Sequence, residues 1–203
     1  MINRLYLRLI GVLFIILGFL AIINSLVIGD YPAVLWFCYS GLIVLGFGFF
    51  TNNHLLVRAE SNILLIPSVI WSTDFFYVLF TNNSLLGITN YFFLDGFSAI
   101  SRIISLQHVL LVPLTIIGLF LLKHDNNPSV LSPLVISVSQ VILLFFLSII
   151  FSTSSRNINW VYHTSIALSL SPFIYSLSWL VGFSIIIFFT DRIIHNSFSW
   201  TFL

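Results

Sequence analysis

Long apolar runs separated by short polar interruptions recur along this sequence and constrain its fold more than any other feature. A transmembrane α-helix needs about 20 consecutive, mostly apolar residues, and six segments satisfy this requirement. We predict helices over residues 5–28, 33–50, 62–80, 98–122, 130–151 and 165–189. Residues 85–96 are too polar and too interrupted by glycine for a clean span, so we predict a re-entrant or interfacial segment there.

Charged residues are too scarce to coat a water-soluble fold. They make up 6% of the 203 residues, and the mean hydropathy is +1.12, whereas soluble domains carry about 25% charged residues. The sequence therefore predicts an all-α, polytopic bundle in which residues 1–203 form one multi-pass domain of the cell membrane, in contact with membrane lipids. A net charge of +1 offers no basic patch for nucleic acid.

The first apolar run is longer than the 7–15 residues typical of a signal peptide, and no A-x-A cleavage site follows it. We therefore expect a retained helix, with Gly11 and Gly18 on one face to admit a close neighbour. Polar loops are predicted around residues 51–60, including Arg58 and Glu60, and in a C-terminal tail over Asp191–His195. We expect Pro172 to kink the sixth helix.

Lysine and arginine in the short loops predict the orientation. With six helices both termini share one side, and that side holds Arg4, Arg8, Arg58, Lys123 and Arg192. The other side holds only Arg102 and Arg156. We therefore predict that both termini are cytoplasmic.

Six charged or imidazole groups fall toward the outer side of this predicted topology, and the inner half of the bundle is nearly bare of charge. They are Asp74, Asp95, Arg102, His108, Arg156 and His163. At 1.5 Å per residue, Asp74 and His108 lie at a similar depth, about 9 Å below the outer boundary. Because ionisable groups at membrane depth are costly and commonly functional, we predict a polar cavity that opens outward.

His108 is the candidate catalytic base, since imidazole titrates near neutral pH. Asp74 is the second candidate catalytic residue, as the group that orients His108; alternatively it forms a structural ion pair with Arg102. Arg102 is predicted to anchor an anionic headgroup. The other predicted substrate-binding residues are Trp71, Asn157, Asn159, Tyr162 and His163, although the last four could equally satisfy loop backbone. Asp95 fits a helix cap.

Familiar catalytic and cofactor motifs are missing from the sequence. It contains no H-x-x-x-H, H-E-x-x-H, G-x-S-x-G, G-x-G-x-x-G or Walker pattern. The single cysteine, Cys38, excludes an intrachain disulfide and a multi-cysteine zinc site. We predict no metal site and no cofactor.

Three fragments, Ile66–Phe76, Ser101–His108 and Asn157–Tyr162, resemble a family of uncharacterised prokaryotic membrane proteins. W-x-x-D, R-x-x-S-L-x-H and N-I-N-[WY]-V segments recur in that family. The layout is also remotely similar to the six-helix superfamily of androgen-induced transmembrane fatty-ester hydrolases and acyltransferase-like proteins. This similarity implies that His108 takes the place of the functional histidine, with Thr73 and Cys38 as candidate nucleophiles.

Two functions are the main candidates, and a structural helper of a larger complex is a third. The first is an intramembrane enzyme that hydrolyses or transfers an acyl group of a lipid in the outer leaflet. The second is a small transporter or ligand-binding membrane sensor without catalysis. A polar site near the midplane between broken helices would favour transport, whereas polar groups gathered at one leaflet favour the enzyme.

Overall fold

The computed structural model describes residues 2–122, 131–163 and 170–198, and all regular structure within them is helical. Seven α-helices follow one another: α1 Ile2–Val27, α2 Phe37–Thr51, α3 His54–Thr81, α4 Ala99–Ser105, α5 Gln107–Leu121, α6 Leu131–Phe151 and α7 Pro172–Phe198. Three short 3-10 turns, Tyr31–Leu35, Asn90–Phe93 and Ile158–Trp160, lie in the connections. Helices α4 and α5 are separated only by Leu106 and form one continuous rod.

Successive helices run back and forth between two ends of the bundle. We call the end where α1, α3 and α6 finish the distal end, and the end where α3 and α6 begin the proximal end. At the distal end Asn24 donates to Ser101 at 3.2 Å, and at the proximal end the rings of Phe120 and Phe198 are 4.7 Å apart. Helix α3 lies at the centre of the bundle, in contact with α2, α5, α6 and α7.

Helices α1 and α2 pack backbone against backbone through glycine. A Cβ added at Gly11 would lie 2.6 Å from the carbonyl oxygen of Gly46, and one added at Gly18 would lie 2.9 Å from the carbonyl oxygen of Tyr39. Distances this short admit no side chain, so only glycine allows the close approach. The predicted packing role of Gly11 and Gly18 is confirmed.

The polar loop predicted before the third helix is wrong. Only Asn52 and Asn53 separate α2 from α3. Asn52 adopts a left-handed conformation with φ 57°, and the Asn53 side chain caps α3 by accepting a hydrogen bond from the amide of Leu56. Helix α3 therefore starts eight residues before the predicted position, and Arg58 and Glu60 are buried within it. Their side chains avoid the membrane by facing neighbouring helices, a possibility that a hydropathy average does not register.

The C-terminal prediction also needs correction. Pro172 is the first residue of α7 and does not kink it, and the helix continues through Asp191 and His195 to Phe198, so the polar tail is helical. Proline suits a first helical turn because its missing N–H has no intrahelical partner there. The predicted start of this helix, at residue 165, lies outside the described residues. Residues 85–96 form turns and one short 3-10 segment, Asn90–Phe93.

Among the described residues, five helical stretches are long and apolar enough to cross a membrane, and α2 is a shorter apolar helix. The outer surface of the bundle is correspondingly apolar: Val27 and Phe80 are each 79% exposed and Phe173 is 78% exposed. Lipid tails are the natural surroundings for such a surface. The predicted all-α, multi-pass membrane class is confirmed at this level, and the sixth span and the orientation stay predictions.

Candidate functional site

The distal end holds two of the predicted site residues in direct contact. The rings of Trp71 and His108 stack with centroids 4.7 Å apart. The indole Nε1 of Trp71 donates to the hydroxyl of Tyr91 at 3.0 Å, and that hydroxyl lies 3.5 Å from Oγ of Ser105. Burial raises the pKa of Tyr91 against the lowering effect of these hydrogen bonds, so the phenol keeps its proton at neutral pH.

His108 lies in the first turn of α5, two residues after Leu106. Its Nδ1 lies 2.9 Å from the backbone oxygen of Ser105. Because a carbonyl oxygen only accepts hydrogen bonds, Nδ1 carries the hydrogen, and in the neutral ring Nε2 keeps its lone pair. The tautomer is the one in which Nε2 could accept a proton.

Asp74 has a different role from the one predicted. Its buried carboxylate accepts hydrogen bonds from the amide of Leu86 at 2.7 Å, from the amide of Thr89 at 2.9 Å and from the hydroxyl of Thr89 at 2.7 Å. Arg102 donates instead to the carbonyl oxygen of Leu94 at 2.8 Å. Asp74 forms neither an ion pair with Arg102 nor a hydrogen bond with His108. Its carboxylate instead binds the connection between α3 and α4, residues 82–98, and holds it against α3.

The segment after α6, residues 152–163, forms hydrogen bonds with its own backbone and with the backbone of neighbouring elements. Asn159 accepts from the amide of Phe37 at 2.9 Å and donates to the carbonyl oxygen of Leu35 at 2.8 Å. Asn157 donates to the carbonyl oxygen of His163 at 2.7 Å and accepts from the amide of Tyr162 at 2.9 Å.

Further hydrogen bonds hold residues 152–163 in place. The hydroxyl of Tyr162 donates to the carbonyl oxygen of Ile149 at 2.9 Å, and Nε2 of His163 lies 3.0 Å from the carbonyl oxygen of Ser154. Arg156 pairs with Asp30 across the distal end. Among the described residues, no hydrogen bond or ring contact joins this segment to Trp71 or His108. The predicted single outward cavity is therefore two separate groups of side chains.

A buried polar cluster in the proximal half was missed by the sequence analysis, which expected that half to be nearly bare of charge. Arg58 of α3 pairs with Asp191 of α7, Nη2 to Oδ1, at 2.8 Å, and their side chains are 11% and 0% exposed. Nδ2 of Asn62 donates to the same aspartate oxygen at 3.2 Å and to Oγ of Ser137 at 3.4 Å. Helices α3, α6 and α7 are thus joined by charge and hydrogen bonds.

Glu60, the seventh of the 28 residues of α3 and about 9 Å from the proximal end of that helix, extends this cluster towards α6. Its side chain is 0% exposed, and Oε2 accepts from Nε2 of Gln140 at 3.3 Å. Gln140 is the tenth of the 21 residues of α6, so at 1.5 Å per residue it lies about 14 Å and 17 Å from the two ends of that helix. Oε1 of Glu60 has no hydrogen-bond partner among the described residues.

Five buried polar atoms in this part of the bundle are without a partner among the described residues: Nε of Arg58, Oε1 of Glu60, Oγ of Ser61, Oδ1 of Asn62 and Oδ2 of Asp191. Folded proteins leave few such atoms, and each one calls for a specific explanation. We call the side chains of Arg58, Glu60, Ser61, Asn62, Ser137, Gln140 and Asp191 the interior cluster. Oδ1 of Asn62 and Oδ2 of Asp191 only accept hydrogen bonds, and Oε1 of Glu60 does so whenever its carboxyl is ionised, so the cluster suits a ligand that donates them.

Two sequence signals could have revealed the interior cluster. Residues 54–66 contain neither glycine nor proline, so nothing there interrupts a helix. Asn53 stands directly before this stretch as a helix cap. With α3 extended back to His54, Arg58 and Asn62 are four residues apart and fall on one face.

No family model matches the sequence, and neither do any curated proteins or solved structures. The two resemblances described above therefore stay predictions. Within residues 2–122, 131–163 and 170–198, no three His, Cys, Asp or Glu side chains gather in a way that could hold a metal ion.

Proposed function

We propose that this chain is a small transporter of the cell membrane that binds a polar solute among α3, α6 and α7. One observation carries the proposal: Glu60 lies fully buried among the helices with one carboxyl oxygen unpartnered among the described residues. Ionisable side chains at membrane depth are costly and mark solute or ion paths by default.

The chemistry of the interior cluster favours a solute that donates hydrogen bonds or carries positive charge. Its unpartnered acceptors come from Glu60, Asn62 and Asp191. The positive charge of the nearby Arg58 is already balanced, because its guanidinium pairs with the carboxylate of Asp191. An anionic solute would face the oxygens of Glu60, Asn62 and Asp191.

Six membrane passes and cytoplasmic termini complete the proposal. Helix α2 would be the sixth pass, lengthened at its distal end by the 3-10 turn Tyr31–Leu35. The excess of lysine and arginine at the proximal end favours placing that end in the cytoplasm. The interior cluster would then lie mainly in the cytoplasmic half of the membrane.

An intramembrane lipid hydrolase or acyltransferase is the second candidate, favoured by the lone pair on Nε2 of His108. Cys38, whose thiol is free and which lies near the start of α2, would then be the candidate nucleophile. Thr73 is poorly placed for that role, because its exposed hydroxyl donates to the carbonyl oxygen of Val69 within its own helix.

One experiment separates the two functions. Cells that produce the wild type, Glu60→Gln or His108→Ala are compared with cells that lack the protein. The concentrations of polar solutes inside and outside the cells and the lipid composition are measured. Transport predicts that the wild type shifts the distribution of at least one polar solute and that Glu60→Gln abolishes the shift. The exposed-carboxyl control Asp95→Asn should retain it. A lipid profile that changes in a His108-dependent way, with unchanged solute concentrations, would reject transport in favour of the enzyme. No change in lipids or in solutes would reject both functions.

A further inference from the structure

Glu60 differs from the other described carboxyl groups in having no charge partner and few donors. Asp30 and Asp191 each pair with an arginine. Asp74 accepts three hydrogen bonds from the α3–α4 connection, and Asp95 is exposed to solvent. Glu60 alone among them is fully buried with a single donor contact.

Within the described part of the chain, the elements packed against Glu60 supply no unpaired positive charge. On α6 its neighbour is the neutral amide of Gln140. On α2 it meets Gly41, so closely that a Cβ there would lie 3.0 Å from Oε2 of Glu60 and 2.9 Å from Leu64. The charged groups nearest in the cluster, Arg58 of its own helix and Asp191 of α7, are paired with each other.

Charge balance then limits the state of this carboxyl. The Arg58–Asp191 pair is neutral as a unit, so an ionised Glu60 would be an unpaired negative charge in an apolar interior, which proteins avoid by neutralising the group. In the acid form Oε2 accepts from Gln140, and Oε1, which has no partner among the described residues, carries the hydrogen.

We propose that Glu60 is a proton-binding site that takes one proton from water and returns it to water. The acid dissociates to the carboxylate plus one proton, and no other group changes its state. The inference rests on the proposed function in one respect: as the protein works, water or a donor-bearing solute must reach Oε1 and stabilise the carboxylate. The proton would then be the coupling ion of the transporter.

Carbodiimide labelling tests the proton site without requiring a known solute. Dicyclohexylcarbodiimide is apolar and reacts with a carboxylic acid: the acid proton passes to a carbodiimide nitrogen, the oxygen adds to the central carbon, and the product rearranges to a stable N-acylurea. Purified protein in lipid nanodiscs is labelled over a pH series, digested and examined by mass spectrometry. The variants are Glu60→Gln, Gln140→Leu and the control Asp95→Asn.

The proton site predicts an adduct on the peptide that contains Glu60, in the wild type and Asp95→Asn and not in Glu60→Gln. Labelling should fall by about tenfold for each pH unit beyond its midpoint, as for a single titrating group. Gln140→Leu should still label at a pH where the wild type has stopped, because the carboxylate has lost its only donor.

Three results would overturn the inference: no adduct at Glu60 in folded protein, labelling that does not change with pH, or labelling that responds to sodium replacing choline and not to pH. The last would assign the site to a metal cation. Labelling as predicted, together with no solute change in cells, would keep the proton site and reject transport. The two proposals therefore fail separately.

Discussion

The Arg58–Asp191 pair gives the sharpest prediction about stability. Both side chains are nearly or fully buried, and they meet at 2.8 Å. Removing one partner of a buried pair leaves an uncompensated charge and costs about 3–5 kcal/mol. We expect this loss for Arg58→Met, which keeps the volume and apolar stem of the side chain and removes only the charge and its hydrogen bonds.

The double variant Arg58→Met/Asp191→Leu should recover most of that loss, because replacing both charges with apolar groups is often neutral or stabilising. A matched control lies at the distal end, where Arg156 pairs with Asp30 and its side chain is 49% exposed. An exposed pair contributes about 0.2–1 kcal/mol, so Arg156→Met should cost correspondingly little. Reversible unfolding in mixed micelles, followed by circular dichroism, gives the free energy of unfolding of each variant. Equal losses for Arg58→Met and Arg156→Met, or no recovery in the double variant, would refute the assignment of a desolvated pair.

Two further predictions address the packing and the distal end. Gly46→Leu should destabilise the bundle by about 1–3 kcal/mol or more, because a Cβ at Gly46 would lie 2.6 Å from the carbonyl oxygen of Gly11. The control Gly182→Leu should fold normally, because a Cβ at Gly182 would have no atom within 4 Å. Similar yields of monodisperse protein for the two variants would contradict the close α1–α2 contact. Asp74→Asn should loosen the α3–α4 connection, since hydrogen bonds to a charged group contribute about 1.5–3 kcal/mol each and the substituted amide accepts through only one oxygen. Limited proteolysis within residues 82–98 should be faster than in Asp95→Asn, and equal rates would show that Asp74 does not hold this connection.

The sequence predicted most reliably those helices whose apolar runs are unbroken. Helix α6 ends at Phe151, the predicted limit, and α1 ends within one residue of its predicted limit. Such runs are set by the thickness of the hydrocarbon layer, so their length alone locates them.

Predictions failed where polar residues face inward. Arg58, Glu60 and Asn62 lower the average hydropathy around residue 60, and a loop is the natural interpretation of that dip. Their burial depends on partners more than 70 residues away, Ser137, Gln140 and Asp191. Sequence spacing does not disclose such partners.

The predicted Asp74–His108 site failed for a different reason. Depth along a helix can be counted from the sequence, and it placed both residues in the distal half. The direction of a side chain around the helix axis, and the course of the connection from residue 82 to 98, cannot be counted in that way. Residues Leu86 and Thr89 of that connection return to Asp74, while His108 stacks on Trp71.

Water access to the interior cluster tests the central claim most directly, because a transporter must wet its binding site and a structural clamp need not. Ser61, 0% exposed with an unpartnered hydroxyl, is replaced by the nearly isosteric cysteine in a Cys38→Ala background, which leaves one thiol in the chain. Val69→Cys, at a lipid-facing position of the same helix that is 46% exposed, is the control. A charged, membrane-impermeant methanethiosulfonate reagent should modify Ser61→Cys in proteoliposomes and leave Val69→Cys unmodified. Equal lack of reaction at both positions, in folded protein and from both sides of the membrane, would contradict the account and leave the interior cluster as a dry structural clamp.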